Sequence, residues 1–171
     1  MIRRHLFGVV CATVAVLAQA ADAPKPAATP PAPPPAYGPA IALADARRCV
    51  SAVEAYATTR QWFMVVTVID SGGHTVASER MDNAQYGSIE PALHKAQTAA
   101  AFRRPTKAFE DIIAQGGAGL RLLKLDGALP VEGGLPLLMN GAVVGAVGVS
   151  GGTSAQDGEA AAACVATLGG K

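Results

Sequence analysis

The sequence predicts an α+β domain: an antiparallel sheet of about five strands flanked by helices, with the first and last helices packed together over one face. Two observations lead there. The hydrophobic period switches from helical to alternating and back along residues 40–171, and the β-branched runs arrive as two hairpins with helical stretches before, between and after them. The order is helix, two strands, two or three helices, two strands, helix. Hairpins run antiparallel, so a doubly wound parallel sheet is excluded.

Two segments stand ahead of this domain. In residues 1–20, Arg3 and Arg4 give a positive start, Leu6 to Ala18 an apolar run too short to cross a bilayer, and Ala18-Gln19-Ala20 a small-x-small site, so an export signal cleaved before Ala21 is expected. The arginine pair also admits a twin-arginine route beside general secretion. Cys11 lies within the apolar run, which is not the place of a lipidated cysteine. Residues 21–39 read as a linker, because eight prolines fall in the 18 residues Asp22 to Pro39 and that composition extends rather than packs. The expected location is periplasmic or secreted.

Within residues 40–171, Ile41, Leu43, Ala46, Val50, Val53 and Ala57 recur at helical spacing with Arg47, Arg48 and Glu54 outward, which predicts a first helix to about Thr59. Phe63 to Ile69 is apolar and β-branched, Asp70-Ser71-Gly72-Gly73 is a turn, and His74 to Arg80 alternates, making the first hairpin. The stripe Ile89, Leu93, Ala96, Ala100 predicts the next helix, with Pro91 in its first turn; Pro105 stops it and Thr106 is placed to cap another. A second hairpin follows from Gly133. Its last strand, Ala142 to Val149, is apolar almost throughout and should be buried on both faces. Cys49 and Cys164 fall on the first and last helices, as a disulfide or as two buried thiols.

The junction after that strand attracts a ligand reading. Gly151 and Gly152 turn the chain, Thr153 with Gln156 fits a capping box, and a helix opens with Asp157 and Glu159 in its first turn. Free N–H groups there can hold a carboxylate or phosphate. The plainer reading is a capped helix, whose acidic first turn opposes an anion.

Composition narrows the function classes. A chain of 171 residues with 50% hydrophobic and 16% charged residues buries one good core. Taking Arg3 and Arg4 from the 14 basic side chains leaves 12 against 13 acidic, a net charge of −1, which suggests neither a nucleic acid nor an anionic membrane as partner, and no membrane span remains after cleavage. The glycine run holds no G-x-G-x-x-G, and the chain has no P-loop, C-x-x-C, H-E-x-x-H or calcium loop. Ser150 is not read as a nucleophile, since no histidine and acid can be placed beside it, and Asp70, Asp82 and Glu90 read as turn and loop formers. There is no catalytic set.

Three blocks, VVTVIDSGGHTVASERMD, KAQTAAAFRRPT and GGLPLLMNGAVVGAVGVSGGTSAQD, in this order and spacing, resemble the GlcG/HbpS family of haem-associated domains. The resemblance covers Ala40 to Leu168. It implies a profilin-like α+β domain, assembly into homo-oligomers, and, among exported members, haem binding for scavenging, storage or sensing.

Haem needs an apolar slot, an axial donor for iron, and cationic or N–H partners for its propionates. His5 leaves with the signal, so His74 and His94 are the histidine candidates, with Met81, Tyr86 and the cysteines as lesser donors. His94 is the preferred iron ligand: it flanks the apolar stripe, with Glu90 one turn before and Thr98 one turn after to orient it. The alternative is a surface histidine paired with Glu90. The resemblance places Arg103-Arg104-Pro105-Thr106 at the haem contact and carries Thr106 over as a site residue. Arg103 and Arg104 can meet propionates or simply end a helix. Lys95 belongs to the same block, and Gly151, Gly152 and Thr153 form a second choice for a propionate. The rival readings are a small-carboxylate-binding accessory domain without haem and a weak haem-degrading enzyme.

Overall fold

The computed structural model describes residues 32–168; the expected export signal and the linker up to residue 31 lie outside the described residues. Helices α1 (Leu43–Thr58), α2 (Ile89–Phe102), α3 (Lys107–Ala114) and α4 (Ser154–Ala166) alternate with strands β1 (Val65–Asp70), β2 (Thr75–Arg80), β3 (Gly134–Met139) and β4 (Ala142–Ser150) in the expected order. Short 3-10 turns precede α2 and follow α3.

The strands form one sheet in the order β2-β1-β4-β3, each neighbouring pair antiparallel. Among the described residues that is four strands rather than about five. Ahead of α1 the chain approaches the sheet but makes a single bridge, Tyr37 with Val143, through Gly38 N to Val143 O and Val143 N to Ala36 O, both 2.8 Å. Pro35 and Pro39 bracket that bridge and have no N–H with which to extend a ladder. These last residues of the expected linker lie on the domain: the Tyr37 hydroxyl donates to the carbonyls of Ala100 and Ala101 at 3.1 and 3.0 Å, and Arg103 Nη1 donates to Pro35 O at 3.1 Å.

Turn chemistry sets both hairpins. Asp70 Oδ1 accepts from Gly72 N at 2.8 Å and His74 N at 3.0 Å, and these bonds, His74's first, hold its carboxyl below the usual range. Asn140 and Gly141 take φ of 52° and 75°, the left-handed pair that a two-residue hairpin turn demands.

β4 is buried from Val143 to Ser150, as its composition predicts, because helices cover both faces. On one side α1 and α4 pack Val50, Val53 and Cys164 against Met64, Val66, Val68, Val147 and Val149. On the other, α2 sets Ala96, Ala99 and Ala100 on Ile69 and Ala146. A Cβ on Gly148 would stand 1.9 Å from the Ala92 carbonyl, so the α2 backbone rests directly on the strand. That approach explains a departure from expectation. The inward residues of α2 are Ala92, Lys95, Ala96 and Ala99, while Ile89 is exposed, as is Leu43 at the start of α1. Larger side chains would lift the helix off the glycine.

α1 and α4 pack together and are joined by a disulfide between Cys49 and Cys164, which resolves the choice between bridge and free thiols. Among the described residues no helix is long and apolar enough to cross a membrane.

Candidate functional site

The residues singled out in the sequence fall in three places. The first is a buried junction under the end of β4. Lys95 Nζ donates to Asp157 Oδ2 at 2.6 Å and to Val149 O at 3.1 Å, and the two side chains are only 3% and 4% exposed. Asp157 Oδ1 accepts from Gly152 N at 2.9 Å. Burial pushes the Asp157 carboxyl above its ordinary range, and the Lys95 ammonium opposes that rise. Gly133, at φ 124°, fits between them: a Cβ there would lie 2.8 Å from Asp157 Cβ and 2.9 Å from Lys95 Nζ.

Beside it, Thr106 does not cap α3. Its backbone is already helical and its side chain makes no cap bond. Instead Thr106 Oγ1 accepts from Gly134 N at 2.9 Å and Thr106 N donates to Gly134 O at 3.0 Å, so a fully buried threonine fastens the α2–α3 link to β3. Lys95, Thr106, Gly133 and Asp157 therefore gather the distinctive residues of two sequence blocks into a structural lock.

The glycine turn is the outer wall of this junction, and its N–H groups are not free. Gly152 N is held by Asp157, Thr153 N donates to Gln156 Oε1 at 2.9 Å, and Gln156 N donates back to Thr153 Oγ1 at 3.3 Å, the full capping box. Ser154 Oγ donates to Glu110 Oε1 at 3.0 Å, which brings another carboxylate to the turn. The first-turn acid expected to face an anion, Asp157, faces Lys95 instead. A small carboxylate gains little here. Ser150, in a stretch that spells G-x-S-x-G, is buried at the end of β4, has no positive φ, and has no histidine bonded to it among the described residues.

The second place is the outward face of α2. His94 lines a hollow of about 210 Å³ with Gln97, Gly127, Ala128 and Leu129. Its side chain is 52% exposed and its Nε2 lies 3.8 Å from Glu90 Oε2, too far for a hydrogen bond. Thr98 does not touch the ring, contrary to the expected orienting role. Thr98 Oγ1 donates to His94 O and accepts from Leu129 N, both at 2.7 Å, so it anchors the loop that walls the hollow. Gln97 also lines an adjoining hollow of about 330 Å³ with Tyr37, Gly72 and Gly73. At that end stands His74, 83% exposed, its Nδ1 3.4 Å from Asp70 Oδ1.

The third place is the β3 edge, where Arg103, Pro105, Leu135, Pro136, Leu138 and Val165 line an apolar groove of about 410 Å³. The Arg103 guanidinium lies 5.0 Å from the Tyr37 ring centre, and that of Arg104 lies 5.6 Å from the Phe109 ring centre. Met81 and Tyr86 do not converge with these groups: Met81 packs against the core, and Tyr86 is 76% exposed beneath the Arg80 guanidinium.

Adjacent residues thus part company. Lys95 points into the lock and His94 out of it. Sequence reasoning missed Asp157 as the partner of Lys95; the available signal was a lysine among alanines on the face turned toward the sheet, which demands a buried counter-charge. Among the described residues no three of His, Cys, Asp or Glu gather to hold a bare metal ion.

Residues 41–166 match the family model described as haem degrading protein HbpS-like. Protein GlcG of Escherichia coli K12 is 37% identical over 101 residues, covering 59% of this chain and 74% of its own. A crystal structure of a double mutant of HbpS from Streptomyces reticuli superposes with a TM-score of 0.70 at 30% identity, covering 84% of this chain and 99% of the other. A crystal structure of a PduOC:Heme complex superposes with a TM-score of 0.70 at 30% identity, covering 75% of this chain and 95% of the other.

Proposed function

Because this chain belongs to the HbpS-like family, we propose that it is an exported haem-binding protein that scavenges, stores or senses haem. The observation that carries the reading is His94: an imidazole in an open hollow with no hydrogen-bond partner among the described residues, in a fold shared with a protein crystallised as a haem complex. The donor set suits haem better than a bare ion. The macrocycle brings its own equatorial nitrogens and asks the protein for one or two axial donors.

In this reading His94 is the iron ligand, and the hollows joined at Gln97 receive the ring edge. Arg103 and Arg104, at the far end of α2, are the cations for propionates, and Arg103 stands on the rim of the apolar groove. His74, Met81 and Tyr86 are secondary donors. Lys95 and Thr106 act from behind, by holding α2 and β3 in place. Gly151, Gly152 and Thr153 rank last as a propionate contact, because the Gly152 and Thr153 amides are already bonded to Asp157 and Gln156. Bound haem supplies iron redox and ligand-exchange chemistry, while the chain's own residues bind and orient.

Export is supported by the disulfide, which persists in an oxidising compartment, and by the charge pattern of residues 1–20. A homo-oligomer is supported by the apolar groove on the sheet edge. Hemin titration of the mature protein tests the proposal. A Soret shift is expected at micromolar protein, weakened strongly in His94→Ala and less in His74→Ala. No shift, or a shift indifferent to His94→Ala, overturns the assignment.

A further inference from the structure

A hollow outside the Gly151-Gly152 turn has a different chemistry. Gln61 and Trp62 from the α1–β1 link, Asn83 and Gln85 from the β2–α2 link, and Gln156 of α4 surround about 250 Å³ over the Gly151-Gly152 turn. We propose that it binds a small, neutral, polyhydroxylated ring, such as a monosaccharide.

Among the described residues no charged side chain lines this hollow, and the Gly152 and Thr153 amides are already taken by Asp157 and Gln156. An anion finds neither a lining cation nor those amides, and a cation finds no lining carboxylate. What remains is carboxamides, each of which both donates and accepts, as a hydroxyl does. Those of Gln61 and Asn83 have no hydrogen-bond partner among the described residues. Gln85 gives its Nε2 to Ser88 Oγ at 2.9 Å and keeps its oxygen, while Gln156 uses its oxygen on Thr153 N and keeps its amide hydrogens.

Trp62 adds a flat, partly buried wall against which the C–H face of a sugar ring can lie. Gln61 and Asn83 are held at φ of 58° and 65°, a left-handed backbone that fixes where each side chain departs. The volume is below that of drug-sized sites, so it suits a single ring.

The chain has one tryptophan, and it is at this hollow, so its emission reports occupancy. The mature protein would be titrated with glucose, galactose and N-acetylglucosamine, and with acetate and lactate as anions. A saturable change with at least one sugar is expected. It should weaken about tenfold in Asn83→Gly, which removes the carboxamide but keeps the positive φ, the size of one lost hydrogen bond. Melting temperature and hemin affinity of that variant should stay at the parent values. No saturable change with any of the sugars at millimolar concentration overturns the proposal, as does equal response to the anions, or sugar affinity unchanged in both Asn83→Gly and Gln61→Gly.

Discussion

His94 and Lys95 are neighbours on α2, yet they live under opposite rules. Lys95 is buried with its ammonium committed to Asp157 and Val149, whereas His94 is half exposed with no hydrogen bond to its ring among the described residues. The difference separates two kinds of motif residue. Groups whose polar atoms are all spoken for hold the fold; groups left with unspent bonding capacity are available to a ligand. By that standard Lys95 and Thr106 belong to the scaffold, and His94 to the candidate site.

The comparison can be broken most severely at the buried pair. Lys95→Met strands the Asp157 carboxylate and should cost about 3–5 kcal/mol in urea unfolding, while the double variant Lys95→Met with Asp157→Leu should recover most of it. If the single variant were neutral, the lock would not be a lock. Next comes the disulfide. It closes a separation of 115 residues, and Cys49→Ala with Cys164→Ala should lower stability by about 2–5 kcal/mol, matched by adding reductant to the parent.

His94→Ala sharpens the contrast instead. Its thermal stability should stay within about 0.5 kcal/mol of the parent, as at an unremarkable surface position, while hemin affinity falls at least about tenfold. The smallest effect lies at Glu54. Its partial burial, and then Glu79 nearby, raise its carboxyl pKa, so the ionised form opposes folding at neutral pH. Glu54→Gln should therefore stabilise at pH 7 by less than about 1 kcal/mol, and the gain should vanish as pH falls through the raised pKa and the parent takes up its proton. A gain persisting in acid would point to packing rather than charge.

Much of the fold was legible because local period and turn chemistry agreed with the tertiary outcome. The run Ala142 to Val149 is apolar because both faces are covered, and Thr153 with Gln156 forms the box its spelling announces. The errors arise where a distant atom decides. Thr106 after Pro105 is spelled as a cap, but Gly134, 28 residues on, claims its hydroxyl. In α2 the alanines leave the buried stripe ambiguous, and only Gly148 shows which side descends on the sheet. The four-strand count turned on Pro35 and Pro39, which limit the approaching chain to one bridge. Of the hollow on α2, His94 is named from the sequence as a candidate, but the wall around it is not, because the Leu129 loop reaches it through Thr98.

That single bridge gives the domain a mechanical property. Ala36 to Gly38 lie parallel to β4, so a pull along the strand axis loads the bonds to Val143 in shear, together rather than one after another. Tyr37, bonded to the end of α2, resists the same pull. Load that passes them enters α1 and is handed by the Cys49–Cys164 crosslink to α4. A domain fastened in this way keeps its first helix from peeling away when its N-terminal side is pulled.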